Sequence, residues 1–181
     1  MYFFTADEHF CHANIIKYCN RPFGSVEEMN QVIIERHNSV VHQKDIVIHV
    51  GDFCMTKNRS IAESIVKQLT GKHIFLRGSH DYWLNKPSID IDTGPIRDIW
   101  EQKISIDGQA YFIVACHYAM REWPRSYHNS WQLYGHSHGS LKPIGKQMDV
   151  GVDTHDFYPY SMEEIVKEMQ IRSDNQEFAS R

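Results

Sequence analysis

Apolar side chains recur along this chain in short runs, and most of the runs stop at a glycine or an acidic residue. The first, Tyr2 to Ala6, ends in Asp7-Glu8-His9-Phe10 and predicts an opening strand. A loop with Asn14, Asn20, Pro22 and Gly24 follows. Ser25-Val26-Glu27-Glu28 has the capping-box pattern, with Ser25 as N-cap and Glu28 three residues on. Met29, Val32, Ile33 and Val40 lie near one helical face, so the spacing predicts a helix to about Ser39. Ile46-Val47-Ile48-His49-Val50 is nearly continuous in apolar residues, as in a strand covered on both faces, and ends in Gly51-Asp52. A second helix is expected from about Ser60, with Ile61, Ile65, Val66 and Leu69 on one side and Gly71 as C-cap. The run His73 to Leu76 then leads into Gly78-Ser79-His80-Asp81. This order implies a largely parallel sheet with right-handed crossovers.

Beyond Pro95 the rhythm changes. Trp100 to Ile106 and Ala110 to Ala115 flank Asp107-Gly108, a strong hairpin signal, and the second arm runs into Cys116-His117. Gln132-Leu133-Tyr134 stops at Gly135-His136-Ser137-His138, and Met148 to Val152 reads as a last strand. Ser161-Met162-Glu163-Glu164 is a second capping box, opening a helix to about Ile171. With no repeat and no linker, residues 1–172 read as a single domain and 173–181 as a frayed polar tail.

Composition narrows the class. The 181 residues, 41% hydrophobic, suffice for a sizeable core. No run is long enough to span a bilayer, and the N-terminus lacks the basic region and cleavage site of a signal peptide. A formal charge of −4 argues against an electrostatically driven nucleic-acid binder, although two bound divalent cations would cancel it. Cys11, Cys19, Cys54 and Cys116 show no C-x-x-C spacing, so they are expected as reduced, mostly buried thiols in a cytoplasmic protein.

The twelve histidines matter because several stand at strand ends beside carboxylates. The strand ends carry Asp7 with His9, Asp52, Ser79-His80-Asp81, His117, and His136 with His138. In extended backbone the i, i+2 spacing of Asp7 and His9, and of His136 and His138, points each pair to one side. Mixed aspartate and histidine donors suit Mn, Fe, Zn or Co better than calcium. The donors outnumber the needs of one ion; two ions about 4 Å apart, sharing a carboxylate, would use them and clamp a phosphate.

The ordered set Asp7-Glu8-His9, Gly51-Asp52, Gly78-Ser79-His80-Asp81, His117 and Gly135-His136-Ser137-His138 resembles the motifs of the calcineurin-like metallophosphoesterases. Asn14-Ile15-Ile16, Arg21-Pro22-Phe23 and Asp149-Val150-Gly151-Val152-Asp153 are similar to segments of the compact, uncapped bacterial and phage members. The resemblance implies a four-layer α/β/β/α sandwich with mixed sheets and a dinuclear site at the loop ends. It implies that Asp7, His9 and His138 hold one metal, that Asp52 bridges, and that Ser79, His117 and His136 hold the other. His80 is then the general acid, held by Asp81, while a metal-bridging hydroxide attacks phosphorus. Two divalent ions are implied, Mn2+ foremost, with Fe, Zn, Ni or Mg as substitutes.

One position departs: the family has asparagine where this chain has Ser79. Serine is a shorter and poorer donor, so the second ion is expected to be weakly held. The expected substrates are phosphodiesters or small nucleotide phosphoesters, the short chain leaving little room for a cap. A phosphomonoesterase and a catalytically weakened metal-binding scaffold are the alternatives. His12, in the loop after the first motif, is the candidate substrate-binding histidine; Arg21, Arg77 and Arg121 are candidate phosphate clamps. His49 and His73 read as structural, and Trp100, Trp123 and Trp131 as packing residues.

Overall fold

The computed structural model describes residues 1–85 and 94–175. Its elements are β1 (Tyr2–Thr5), α1 (Ala13–Tyr18), α2 (Val26–Val40), β2 (Ile46–His49), α3 (Arg59–Val66), β3 (Lys72–Phe75), β4 (Ile99–Ile106), β5 (Gln109–Cys116), β6 (Trp131–Tyr134), β7 (Gln147–Asp149), β8 (Tyr160–Ser161) and α4 (Met162–Ile171). They form two mixed four-stranded sheets, ordered β3-β2-β1-β8 and β4-β5-β6-β7. In the first, β1, β2 and β3 run parallel and β8 is antiparallel to β1. In the second, β4 and β5 form the antiparallel hairpin, and β6 and β7 add in parallel.

Alternation along the strands explains how the sheets meet. Phe4, Ile48 and Leu76 from the first sheet share one buried cluster with Trp100, Ile113, Leu133 and Met148 from the second. The Trp100 ring lies 5.8 Å from that of Phe4, edge-on, so an aromatic contact joins the two layers. Residues one position out of step face the other way. Phe75 and Phe53 pack with Met29, Ile33, Ala62 and Ile65 of α2 and α3, which cover the outer side of the first sheet. At the same end the sheets are stitched together. Val150 donates its amide to Tyr134 of β6, and two residues on Val152 donates to Ala6 beyond β1.

Several expectations need correction. Residues 13–18, read as loop, form α1, because Ile15 finds a buried place that a six-residue segment cannot advertise by periodicity. α3 ends at Val66 rather than running to Gly71; Gly71 instead takes a left-handed φ of 115° just before β3. The last strand expected over Met148 to Val152 is instead the three-residue β7, and the two-residue antiparallel β8 follows it. Ser161 forms the full capping box with Glu164, whereas Glu28 reaches past Ser25 to the Gly24 amide. The tail is not frayed at its start. Asn175 is buried, donates to the Ser126 and Ser130 carbonyls and accepts from the Lys146 amide. Positions 176–181 of that tail lie outside the described residues. Among the described residues no helix is long and apolar enough to cross a membrane.

Candidate metal centre

The loops that leave β1, β2, β3, β5 and β6 converge, and they bring together the strand-end residues singled out by the sequence. Donor atoms of Asp7, His9 and His138 lie within 4.8 Å of one another, and so do those of Asp52, His117 and His136. Asp52 also stands between the groups: its Oδ2 is 3.3 Å from His117 Nε2 and 3.7 Å from His9 Nε2. Ser79 Oγ donates to the same oxygen at 3.0 Å.

The backbone reaches this geometry differently from the extended-strand argument. Asp7, His9, Asp52, His136 and His138 all have left-handed φ, between 46° and 67°. Each pair therefore converges through kinks, and such conformations cost about 1–3 kcal/mol apiece and persist only where the surroundings hold them. Close approach adds to the demand. A Cβ on Gly51 would meet His117 Nδ1 at 2.5 Å, and one on Gly78 would meet Asp52 Oδ1 at 2.2 Å.

Buried polar groups hold the kinks. Asp81 accepts from the amides of Asp52 (2.7 Å), Phe53 (3.0 Å) and Gly78 (2.9 Å) and from Trp83 Nε1 (3.0 Å). This corrects its expected role: its oxygens fasten the β2 and β3 loops together rather than orienting the His80 ring. Arg21 is corrected too. Its side chain is buried against Asp153 (2.8 and 2.7 Å) and donates to the Asp7 and Glu8 carbonyls, so it cannot clamp a phosphate. Asp153 in turn pairs with His138 Nδ1 at 2.6 Å, leaving Nε2 as the free ligand atom. His117 Nδ1 is likewise engaged by the Val50 carbonyl at 3.0 Å. Asp149 gathers the Ser137 hydroxyl and the Gly139 and Gly151 amides.

Burial weighs against charge throughout this centre. Burial pushes the Asp7 carboxyl well above the usual carboxylate range, with Asp149 and Asp52 adding to the rise. Burial lowers His9 to about 3, against the pull of Asp52. Burial opposes charge on His117 as well, but Asp52 outweighs it and raises that imidazole. Burial also opposes the charge of Asp52, yet His117, the His80 amide and His9 prevail and hold it low. Asp7 Oδ1, His9 Nε2 and His117 Nε2 are buried without a well-formed hydrogen bond. Inward-facing carboxylate and imidazole atoms left over in this way fit divalent cations, which would reverse the penalty on charge.

Around the centre, an open cleft of about 350 Å³ is lined by His12, Asn14, Tyr18, Met55, His80 and His136, among others. His80 leaves about a third of its side chain exposed and holds Nε2 4.0 Å from Asp52 Oδ2. His12 reaches the site, with Nδ1 3.2 Å from His9 Nδ1. Arg77 and Arg121 are exposed, Arg77 Nε standing 3.8 Å from Asp98. Of the cysteines, Cys54 and Cys116 are buried as expected, whereas Cys11 is exposed. Trp100, Trp123 and Trp131 are buried packing residues.

No protein-family model matches the chain. Over 173 residues it is 33% identical to the uncharacterized protein MJ1445 of Methanocaldococcus jannaschii, covering 91% of this chain and 89% of that protein. Among solved structures, the crystal structure of the protein of unknown function AQ665 from Aquifex aeolicus matches with a TM-score of 0.64 at 24% identity. That match covers 93% of this chain and 98% of the other and indicates a common fold.

Proposed function

We propose that this chain, which belongs to one family with the uncharacterized protein MJ1445 of Methanocaldococcus jannaschii, is a phosphoesterase that works with two divalent metal ions. On this reading its two mixed sheets are the inner layers of a calcineurin-like α/β/β/α sandwich. The observation that carries the proposal is the pairing of Asp7, His9, His138 with Asp52, His117, His136 in one cleft, with inward-facing donor atoms unused. Asp7, His9 and His138 would hold one ion, Asp52 would contact both, and His117 and His136 would hold the other. Two cations there would neutralise a phosphoryl group and lower the pKa of water.

The protein's own groups do the rest. His80 stands beside Asp52 and faces the cleft, where a partly exposed imidazole can give a proton to a departing oxygen. His12 lies where it can donate to a phosphate oxygen. Asp81 keeps the loops bearing Asp52 and His80 in register. The open cleft suits phosphodiesters and small nucleotide phosphoesters.

Hydrolysis of bis(p-nitrophenyl) phosphate with added Mn2+ tests this. The wild type should turn over, and His80→Ala should lower kcat about 10²–10⁴-fold, the usual worth of a general acid. Asp52→Asn should abolish activity. A wild type as slow as Asp52→Asn would sink the enzyme reading and favour a metal-binding scaffold.

A further inference from the structure

Glu8 separates Asp7 from His9, yet its side chain takes no part in the ligand cluster. It reaches instead to the helix-covered face of the first sheet, where Glu8 Oε1 lies 2.6 Å from His49 Nδ1. His49 Nε2 lies 3.0 Å from His73 Nδ1, and His73 Nε2 lies 3.4 Å from the Leu69 carbonyl oxygen. These residues come from the β1 loop, β2, β3 and the segment after α3, so the chain of contacts spans the face from the metal centre outward.

The far end fixes its direction. A backbone carbonyl only accepts, so His73 donates from Nε2 and must accept at Nδ1. His49 then donates from Nε2 to His73, and its Nδ1 faces Glu8 Oε1. The reverse direction would set a lone pair of His73 against the Leu69 oxygen. Phe53 and Phe75 flank the His49 imidazole, with rings 5.0 and 4.6 Å away, so apolar side chains enclose the middle of the chain.

We propose that Glu8 is a positioning residue, at the head of a Glu8–His49–His73 chain that holds the Asp7-Glu8-His9 turn in its kinked, ligand-presenting form. The turn has left-handed backbone on both sides of Glu8. Arg21 anchors its carbonyls; the Glu8 side chain anchors it from the opposite element, β2. This inference rests on the two-metal reading above, and it assigns a function to two histidines that otherwise read as inert core.

Calorimetric titration of Mn2+ into the metal-free full chain tests it without reference to hydrolysis. Glu8→Ala should weaken binding 10–100-fold, the range typical of a lost group behind a metal ligand. Glu8→Gln, whose amide can still donate to His49, should bind within threefold of wild type. Equal losses in both variants, or a Glu8→Ala protein that binds like wild type, would overturn the proposal. Should Glu8→Ala not fold, imidazole ¹⁵N shifts of the metal-free wild type decide: both His49 and His73 protonated at Nε2 supports the chain, and His49 protonated at Nδ1 alone overturns it. A wild type that binds Mn2+ tightly but hydrolyses nothing would sink the phosphoesterase reading and leave this one standing.

Discussion

Ser79 places its hydroxyl 3.0 Å from Asp52 Oδ2, as a donor to the carboxylate proposed to contact both ions. A hydroxyl there satisfies Asp52 but offers a metal little, whereas an asparagine carbonyl reaches further and is a better neutral donor to a divalent ion. Ser79→Asn should therefore tighten binding of the second Mn2+ and raise turnover when Mn2+ is limiting. Unchanged second-site affinity by calorimetry would show that the serine is no handicap. At this scale the sequence was informative about which residues gather and misleading about how. The i, i+2 spacing singled out Asp7 with His9 and His136 with His138, but their convergence comes from left-handed backbone, which spacing cannot reveal. Asp153 was missed as the partner of His138 and Arg21, since Arg21 and Asp153 lie 132 positions apart and only the fold joins them.

Among elements, β2, β3 and α2 enclose His49, His73 and His37, the last held through Nε2 on the Thr70 carbonyl at 2.8 Å. Burial lowers each of the three to about 3. Burial raises Glu8 to about 8. The signs are opposite in effect. The histidines stay neutral when folded, so their contribution is intact above the unfolded value of about 6.5 and is lost as pH falls below it. Glu8 keeps its proton when folded, so its contribution is present at low pH and is lost as pH rises toward 8. Across these four groups, between about pH 4.5 and 6.5 the unfolded state takes up about two more protons than the folded one, a limiting slope of roughly 2–3 kcal/mol per pH unit. The metal-free protein should thus unfold at lower urea concentration at pH 5.5 than at pH 7, and equal or greater stability at pH 5.5 would contradict the neutral cluster. The strands themselves were legible from their apolar runs, and α2 and α4 from their caps. α1 and β8 were not, because six and two residues carry no usable period and are fixed by what they pack or pair with.

For the whole molecule, the ligand candidates come from both sheets: Asp7, His9 and Asp52 from the first, His117, His136 and His138 from the second. Ions held between them would tie the layers together across the end where Ala6 and Val152 already meet. Mn2+ at 100 times its dissociation constant should add about 2.7 kcal/mol per site and raise Tm, with EDTA returning it to the metal-free value. The two-sheet organisation followed from the sequence only in part. The opening strand-helix-strand order and the Asp107-Gly108 hairpin announced the halves, while their packing through Phe4 and Trp100 depends on contacts that periodicity does not specify.

The most direct test of the two-metal account is the rate of bis(p-nitrophenyl) phosphate hydrolysis measured against bound Mn2+ per chain. The account predicts little turnover with one equivalent bound and a steep rise as the second binds, reaching a plateau at two. Full activity at one equivalent, or none at two, would contradict it.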